Sequence, residues 1–213
     1  MAPTRVLLVR HGQSEWNAAG RWQGQADPPL TDLGCRQAFD AARALGAMDA
    51  IFASTLQRAL RTALIISESL GVGPVVADPD LVERDAGEWS GLTRAEIEEQ
   101  YPGYLSGSTD EHRGFAGGVV EERRPPGWEP DASVLARATA ALHRIHESVG
   151  GGDVLAVTHG GLIYVLEQEL TGSFARLANA EGRWFTVGDD GRLGLGERVL
   201  LVPPDEVTIP KAI

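Results

Sequence analysis

The chain is poor in several things at once. Among its 213 residues there is one cysteine, Cys35, and one lysine, Lys211. A lone thiol cannot close an internal disulfide, and Cys35 lies in a helical pattern that suits a small buried residue better than a nucleophile. No apolar run approaches the roughly 20 residues that a membrane-spanning helix needs. The start, Met1-Ala2-Pro3-Thr4, leads straight into a strand pattern with no room for a signal peptide. A cytoplasmic protein is expected. Positive charge is scarce too: 19 basic residues stand against 30 acidic ones, a formal net charge of −11. Nucleic acid and anionic membranes are therefore poor partners, and an anionic substrate requires a local cluster of arginines. The hydrophobic share of 43% suffices for the core of one domain spanning residues 1–213.

What is present begins with two matching strand ends. Val6-Leu7-Leu8-Val9 runs into Arg10-His11-Gly12, and Val154-Leu155-Ala156-Val157 runs into Thr158-His159-Gly160-Gly161. Each is a short buried-strand pattern that delivers a histidine where the chain turns. In open α/β sheets, ligands bind at the carboxyl ends of strands.

Strand and helix patterns alternate elsewhere, which predicts an α/β fold. The region from Trp16 to Leu30 reads as a loop. Thr31-Asp32 caps a helix to about Leu45, with Ala38, Ala41, Ala42 and Leu45 on one face. A strand at Ala50 to Ala53 precedes a helix from about Leu56 to Leu70 that stops at Gly71. A third strand, Val75 to Ala77, and a short helix, Arg94 to Gln100, come next. Periodicity is lost over about residues 102–130, which suggests an insertion over the active-site face because helix and strand resume beyond it. A long helix from about Ala132 to Val149, the second histidine strand and a helix from Leu162 to Leu170 complete the alternation. The end reads as antiparallel strands at Arg183 to Val187 and Arg198 to Val202, turning around Asp189-Asp190-Gly191. These strands offer an edge on which a homodimer can form.

A histidine that attacks phosphorus needs a neutral ring held in orientation, cationic or N–H donors on the phosphoryl oxygens, and an acid for the departing oxygen. His11, His159 and Arg10 meet at strand ends. Arg58 falls in the first turn of its helix, where a cation opposes the macrodipole unless it holds an anion. Arg61, one turn on, reads as solvated or ion-paired. His143 and His146 on the long helix read as surface residues rather than metal ligands.

Leu8-Val9-Arg10-His11-Gly12-Gln13-Ser14-Glu15-Trp16-Asn17 resembles the signature of the histidine phosphatase superfamily, the group that contains cofactor-dependent phosphoglycerate mutases. The resemblance continues through Arg21-Trp22-Gln23-Gly24, Leu30-Thr31-Asp32-Leu33-Gly34 with Gln37-Ala38, and the Arg58 segment. It then takes in Leu81-Val82-Glu83-Arg84-Asp85-Ala86-Gly87-Glu88-Trp89-Ser90-Gly91 and closes at Thr158-His159-Gly160-Gly161. It implies a three-layer α/β/α sandwich with a mostly parallel central sheet. It implies that His11 becomes phosphorylated, that Arg10, Arg58 and His159 with Gly160 hold the phosphoryl oxygens, that Asn17 adds a hydrogen bond, and that Gln23 and Gly24 line the pocket. Glu83 matches the proton donor, ahead of Asp85 and Glu88. No metal or other cofactor is implied, and the substrate is a small phosphorylated metabolite.

The family divides by the fate of phosphohistidine. Mutases carry Leu-Asn-Lys after the Glu-bearing motif, whereas this chain reads Ser90-Gly91-Leu92-Thr93-Arg94. That favours a phosphatase over a phosphoglycerate mutase. The other alternative, a weakly catalytic phospho-ligand or protein-binding member, is disfavoured because His11, His159, Arg10, Arg58 and Glu83 are all present. Many phosphatases of this kind have Pro-Gly-Gly-Glu-Ser before the long helix. Here Pro126-Gly127-Trp128-Glu129-Pro130 stands instead, with Glu129 at the family's spacing from Arg137. Specificity is expected from residues 102–130, where Arg113, Arg123, Arg124, Phe115, Trp128 and His112 are available.

Overall fold

The computed structural model describes residues 2–105 and 123–210. His112, Arg113 and Phe115 lie outside the described residues. Six strands form one sheet in the order β3-β2-β4-β1-β5-β6. These are β1 (Thr4–Arg10), β2 (Ala50–Ser54), β3 (Val75–Asp78), β4 (Gly152–Thr158), β5 (Glu181–Val187) and β6 (Leu193–Leu200). The first four strands in that order run parallel, while β5 pairs antiparallel with β1 and β6 with β5. Between them lie α1 (Glu15–Ala18), α2 (Asp32–Ala44), α3 (Gln57–Leu70), α4 (Arg94–Gln100), α5 (Asp131–Val149) and α6 (Gly160–Thr171).

The two-residue period of β1 sorts its side chains between two cores. Leu7 and Val9 pack with Ile51, Ala53, Leu155 and Val157 against α2 and α3. Val6 and Leu8 pack with Phe52, Val154 and Ala156 against α5 and α6. Because both faces are covered, the parallel strands read as continuous apolar runs rather than as alternating ones. This is the expected three-layer arrangement. A third, aromatic cluster joins Trp22, Trp89 and Ile97 beyond the strand ends.

Four details depart from the sequence reading. The segment after His11 is not all loop, since Ser14 caps the single turn of α1 through a reciprocal capping box with Asn17. The last strand begins at Leu193, not Arg198, and ends at Leu200. Its Leu-Gly-Leu-Gly start resembles a turn, but a Cβ at Gly196 would lie 2.8 Å from the Trp184 Cβ on the neighbouring strand. The glycine there makes room for a bulky cross-strand partner. His146 is not a surface residue. It is buried on the inner face of α5, with Nδ1 2.8 Å from Thr4 Oγ1 and Nε2 3.3 Å from Asp189. Cys35 is half-buried rather than buried.

Candidate active site

The site is assembled by the β1–β4 pair. Arg10 lies opposite Thr158 in the parallel register, and the His11 N–H donates to Thr158 O at 3.0 Å. The two histidines therefore leave adjacent strands at the same level, and their rings meet edge to face with centroids 5.1 Å apart. Beyond His11 the chain turns tightly against α2. A Cβ on Gly34 would stand 2.1 Å from Gln13 O, so only glycine lets the helix start press on this turn. The Thr31 cap hydroxyl holds the same Gln13 carbonyl at 3.2 Å.

Both histidines are neutral, and their hydrogen bonds select the tautomer. The His11 Nδ1–H donates to Gly12 O at 2.7 Å, which leaves Nε2 unprotonated with its lone pair able to attack; Arg58 Nε–H donates to that nitrogen at 3.2 Å. Burial, then the charges of Arg58 and Arg10, hold the His11 pKa well below its ordinary 6.5. Burial and Arg58 lower His159 likewise. The Ser54 hydroxyl accepts from Leu56 N–H at 3.2 Å and lies 2.8 Å from His159 Nε2. Of these two partners only the ring nitrogen can accept, so Ser54 donates to it and the ring proton stays on Nδ1.

Arg58 enters from the first turn of α3 and is fully buried. Its Nη1 and Nη2 donate to Ala26 O and Gly24 O at 2.7 and 2.9 Å, which ties the Gln23–Gly24 turn to the site. Burial lowers its pKa to about 10, against the smaller opposing effects of Glu83 and Asp27. Arg10 is anchored on Leu177 O at 2.9 Å and on the Tyr164 hydroxyl at 3.3 Å. Gly160 lies close by, because a Cβ there would come within 3.3 Å of the Arg10 guanidinium carbon. Gln23 is buried and accepts from Ser14 Oγ at 2.6 Å.

Of the three carboxylates considered, only Glu83 is buried. Its Oε1 accepts from Arg84 N–H at 2.8 Å and its Oε2 from Gly161 N–H at 3.2 Å, at the start of α6. Asp85 turns away to receive Gly87 N–H at 2.8 Å, and Glu88 is exposed and receives the Tyr101 hydroxyl. The loop carrying Glu83 is braced from α5. Arg137 binds Glu129 through two bonds of 2.7 and 3.0 Å and reaches Asp80 O and Val82 O. Burial alone would raise the Glu129 pKa, but the hydrogen bonds and charge of Arg137 outweigh it and hold it low.

Three buried N–H donors around His11 have no hydrogen-bond partner: Arg10 Nε, Asn17 Nδ2 and His159 Nδ1. Buried donors are costly to leave unpaired, and three in one place make a cradle for oxygens carrying negative charge. Among the described residues, no group of three or more His, Cys, Asp or Glu side chains is disposed to hold a metal ion.

Residues 6–183 match the histidine phosphatase superfamily (branch 1). The chain belongs to this superfamily. It is similar to the metal-independent phosphoserine phosphatase of Arabidopsis thaliana, at 35% identity over 182 residues, covering 83% of this chain and 74% of that protein. It is also 35% identical over 181 residues to the glucosyl-3-phosphoglycerate phosphatase of Mycolicibacterium vanbaalenii, covering 81% of this chain and 76% of that one. A mycobacterial glucosyl-3-phosphoglycerate phosphatase complexed with VO3 superposes with a TM-score of 0.74 and 30% identity, over 90% of this chain and 97% of that one. The protein is a phosphomonoesterase of the histidine phosphatase type. The phosphatase expectation is therefore borne out over the mutase one.

Several residues of the site escaped the sequence reading. Ser54 and Thr62 lie in a segment recognised for Arg58 alone, yet Thr62 Oγ1 accepts Gly12 N–H at 3.1 Å. Tyr164 carried a signal, since a tyrosine within the apolar run of residues 162–166 needs a partner for its hydroxyl. Arg123, by contrast, is exposed and donates to Gly103 O at 3.1 Å, away from the cradle. Arg124 stacks over Trp128, 4.7 Å from the ring, and Trp128 packs on Trp22 and Trp89.

Proposed function

We propose that this protein hydrolyses small phosphomonoesters without a metal, through a phosphohistidine on His11. The observation that carries this reading is the trio of unpartnered buried donors, Arg10 Nε, Asn17 Nδ2 and His159 Nδ1, around a neutral histidine. In the first step the His11 Nε2 lone pair attacks phosphorus in line, and the phosphorus–oxygen bond to the leaving group breaks. Glu83 gives its proton to the departing oxygen. Arg10, Arg58, Asn17 and His159 hold the three phosphoryl oxygens as charge spreads over them. Water then attacks phosphorus, the Glu83 carboxylate takes its proton, the nitrogen–phosphorus bond breaks, and inorganic phosphate leaves a neutral His11. Gln23 and Gly24 line the mouth of the pocket, with the tryptophan cluster behind them.

The named relatives, one acting on phosphoserine and one on a glucosylated phosphoglycerate, support a small anionic metabolite as substrate. A cytoplasmic location belongs to the same reading, supported by the single free cysteine. So does one domain spanning residues 1–213, supported by a sheet that draws strands from Thr4 to Leu200. The outer edge of β6 is the corresponding candidate for pairing two copies, and light scattering of the purified protein tests it.

The deciding experiment is phosphate release in EDTA across a panel of phosphomonoesters, by wild type and by His11→Ala. Metal-independent turnover that His11→Ala abolishes is expected. Near-normal turnover by His11→Ala would sink the mechanism.

A further inference from the structure

Asn179 lies on the segment between α6 and β5 and is fully buried. Its Nδ2 donates to His11 O at 3.0 Å and to Asn17 Oδ1 at 3.1 Å. Its Oδ1 accepts from Thr208 Oγ1 at 3.0 Å, and its backbone N–H donates to Thr208 O at 2.9 Å. Both side-chain hydrogens are thereby committed to the protein, and none is left for a substrate.

The polarity of this network follows from its backbone members. The His11 carbonyl can only accept, so the nitrogen of the Asn179 amide faces it. The Ser14 N–H can only donate, so the oxygen of the Asn17 amide faces it, at 3.3 Å. A carboxamide turned through 180° keeps its shape but exchanges donor for acceptor. Asn17 turned over would fit the same space and present an oxygen to an anion. Two N–H groups hold its oxygen back, one long bond from Ser14 and a shorter one from Asn179. What remains on the other side is Asn17 Nδ2, buried and without a partner.

We propose that Asn179 is a positioning residue that orients the Asn17 amide with its N–H donors toward the phosphoryl group, and that Thr208 holds Asn179 in turn. The proposal rests on the reading that Asn17 donates to the phosphoryl oxygens. It makes the segment around Thr208, more than 190 residues beyond Asn17 in sequence, part of the phosphate site. Gln37 completes the link. Its Nε2 donates to Thr208 Oγ1 at 3.0 Å, while its Oε1 receives Gln13 N–H at 2.8 Å beside the nucleophile.

The test is a double-mutant cycle of Asn17→Ala and Asn179→Ala, read by kcat/KM for a phosphomonoester and by the inhibition constant of inorganic phosphate. Asn179→Ala is expected to lower kcat/KM about tenfold and weaken phosphate inhibition by a similar factor. In the Asn17→Ala background it is expected to change neither. Losses that multiply in full would overturn the proposal, because Asn179 would then act on something other than Asn17. Wild-type kinetics for Asn179→Ala would overturn it as well. Truncating a buried amide also endangers the fold, so Thr208 supplies a second line. Thr208→Val is expected to lose about threefold, and Thr208→Ser, which keeps the hydroxyl, to match wild type. Equal losses in both, or none in either, contradict the link. Failure of the underlying reading looks different: His11→Ala then retains turnover, whatever Asn179 does.

Discussion

On the proposed mechanism His11 can attack because its surroundings keep it uncharged. Burial and two arginines depress its pKa, so the free enzyme holds the reactive form well below the pH at which an exposed histidine protonates. The acid limb of kcat/KM is therefore expected below about pH 6.5, the unperturbed value. A limb centred at or above that pH would contradict a buried, cation-flanked ring. Glu83 invites a different measurement. Glu83→Gln removes the proton that an alkoxide leaving group needs but a p-nitrophenolate scarcely does. Loss of about 100-fold or more is expected for alkyl phosphates, with a much smaller loss for p-nitrophenyl phosphate. Equal losses on both would move the acid role elsewhere. Glu83 itself was identifiable from its motif, because a carboxylate at that spacing from Gly87 is a strong pattern. Asn179 was not, since an isolated asparagine in a loop looks like any turn residue until its partners from two distant segments are known.

Elements bring these residues to one place, and two contacts do most of the bracing. Gly34→Ala would push a methyl group into the Gln13 carbonyl, backbone against backbone, where neither side can turn away. The expected cost is about 2–3 kcal/mol, or roughly 5–10 °C in Tm for a chain of this size, with a loss of kcat/KM. An unchanged Tm would mean that the turn after His11 is softer than its contacts indicate. Arg137 and Glu129 form a mostly buried pair, and Arg137→Met leaves Glu129 with the Asp85 N–H alone and removes the Arg137 donor from two carbonyls. A stability loss of about 2 kcal/mol, measured by urea melting, is expected. Helices α2, α3, α4 and α5 were legible in the sequence to within a residue or two because each carries a boundary signal, the Thr31 and Thr93 caps of α2 and α4 and the Gly71 and Gly150 stops of α3 and α5. The start of β6 was hidden for the opposite reason. Its glycines look like turn residues, and only Thr186 and Trp184 across the sheet explain them. His146 was misread because the pattern of α5 alone did not reveal that its inner face reaches Thr4 at the start of β1.

At the scale of the molecule, burying two neutral histidines couples folding to pH. The unfolded chain takes up protons at His11 and His159 near pH 6.5, while the folded one resists until its depressed pKa values are reached. Stability is thus fully present above about pH 6.5 and declines below it, with a slope approaching about 2.7 kcal/mol per pH unit from two groups. Urea melts at pH 7.5, 6.5 and 5.5 measure this, and a flat profile would contradict it. The overall architecture was legible because the central parallel strands are apolar on both faces and the connecting helices α3, α5 and α6 each stop at a glycine. The pairing of β1 with β4 has a further consequence, which concerns time. The two histidines it joins are about 150 residues apart in the chain. At a synthesis rate of roughly 5–20 residues per second, His11 leaves the ribosome on the order of ten seconds before His159 exists. During that interval the nascent chain carries His11 but no second histidine strand to close beside it. On the proposed mechanism a product that ends before β4 lacks His159, and it is expected to release no phosphate from a phosphomonoester.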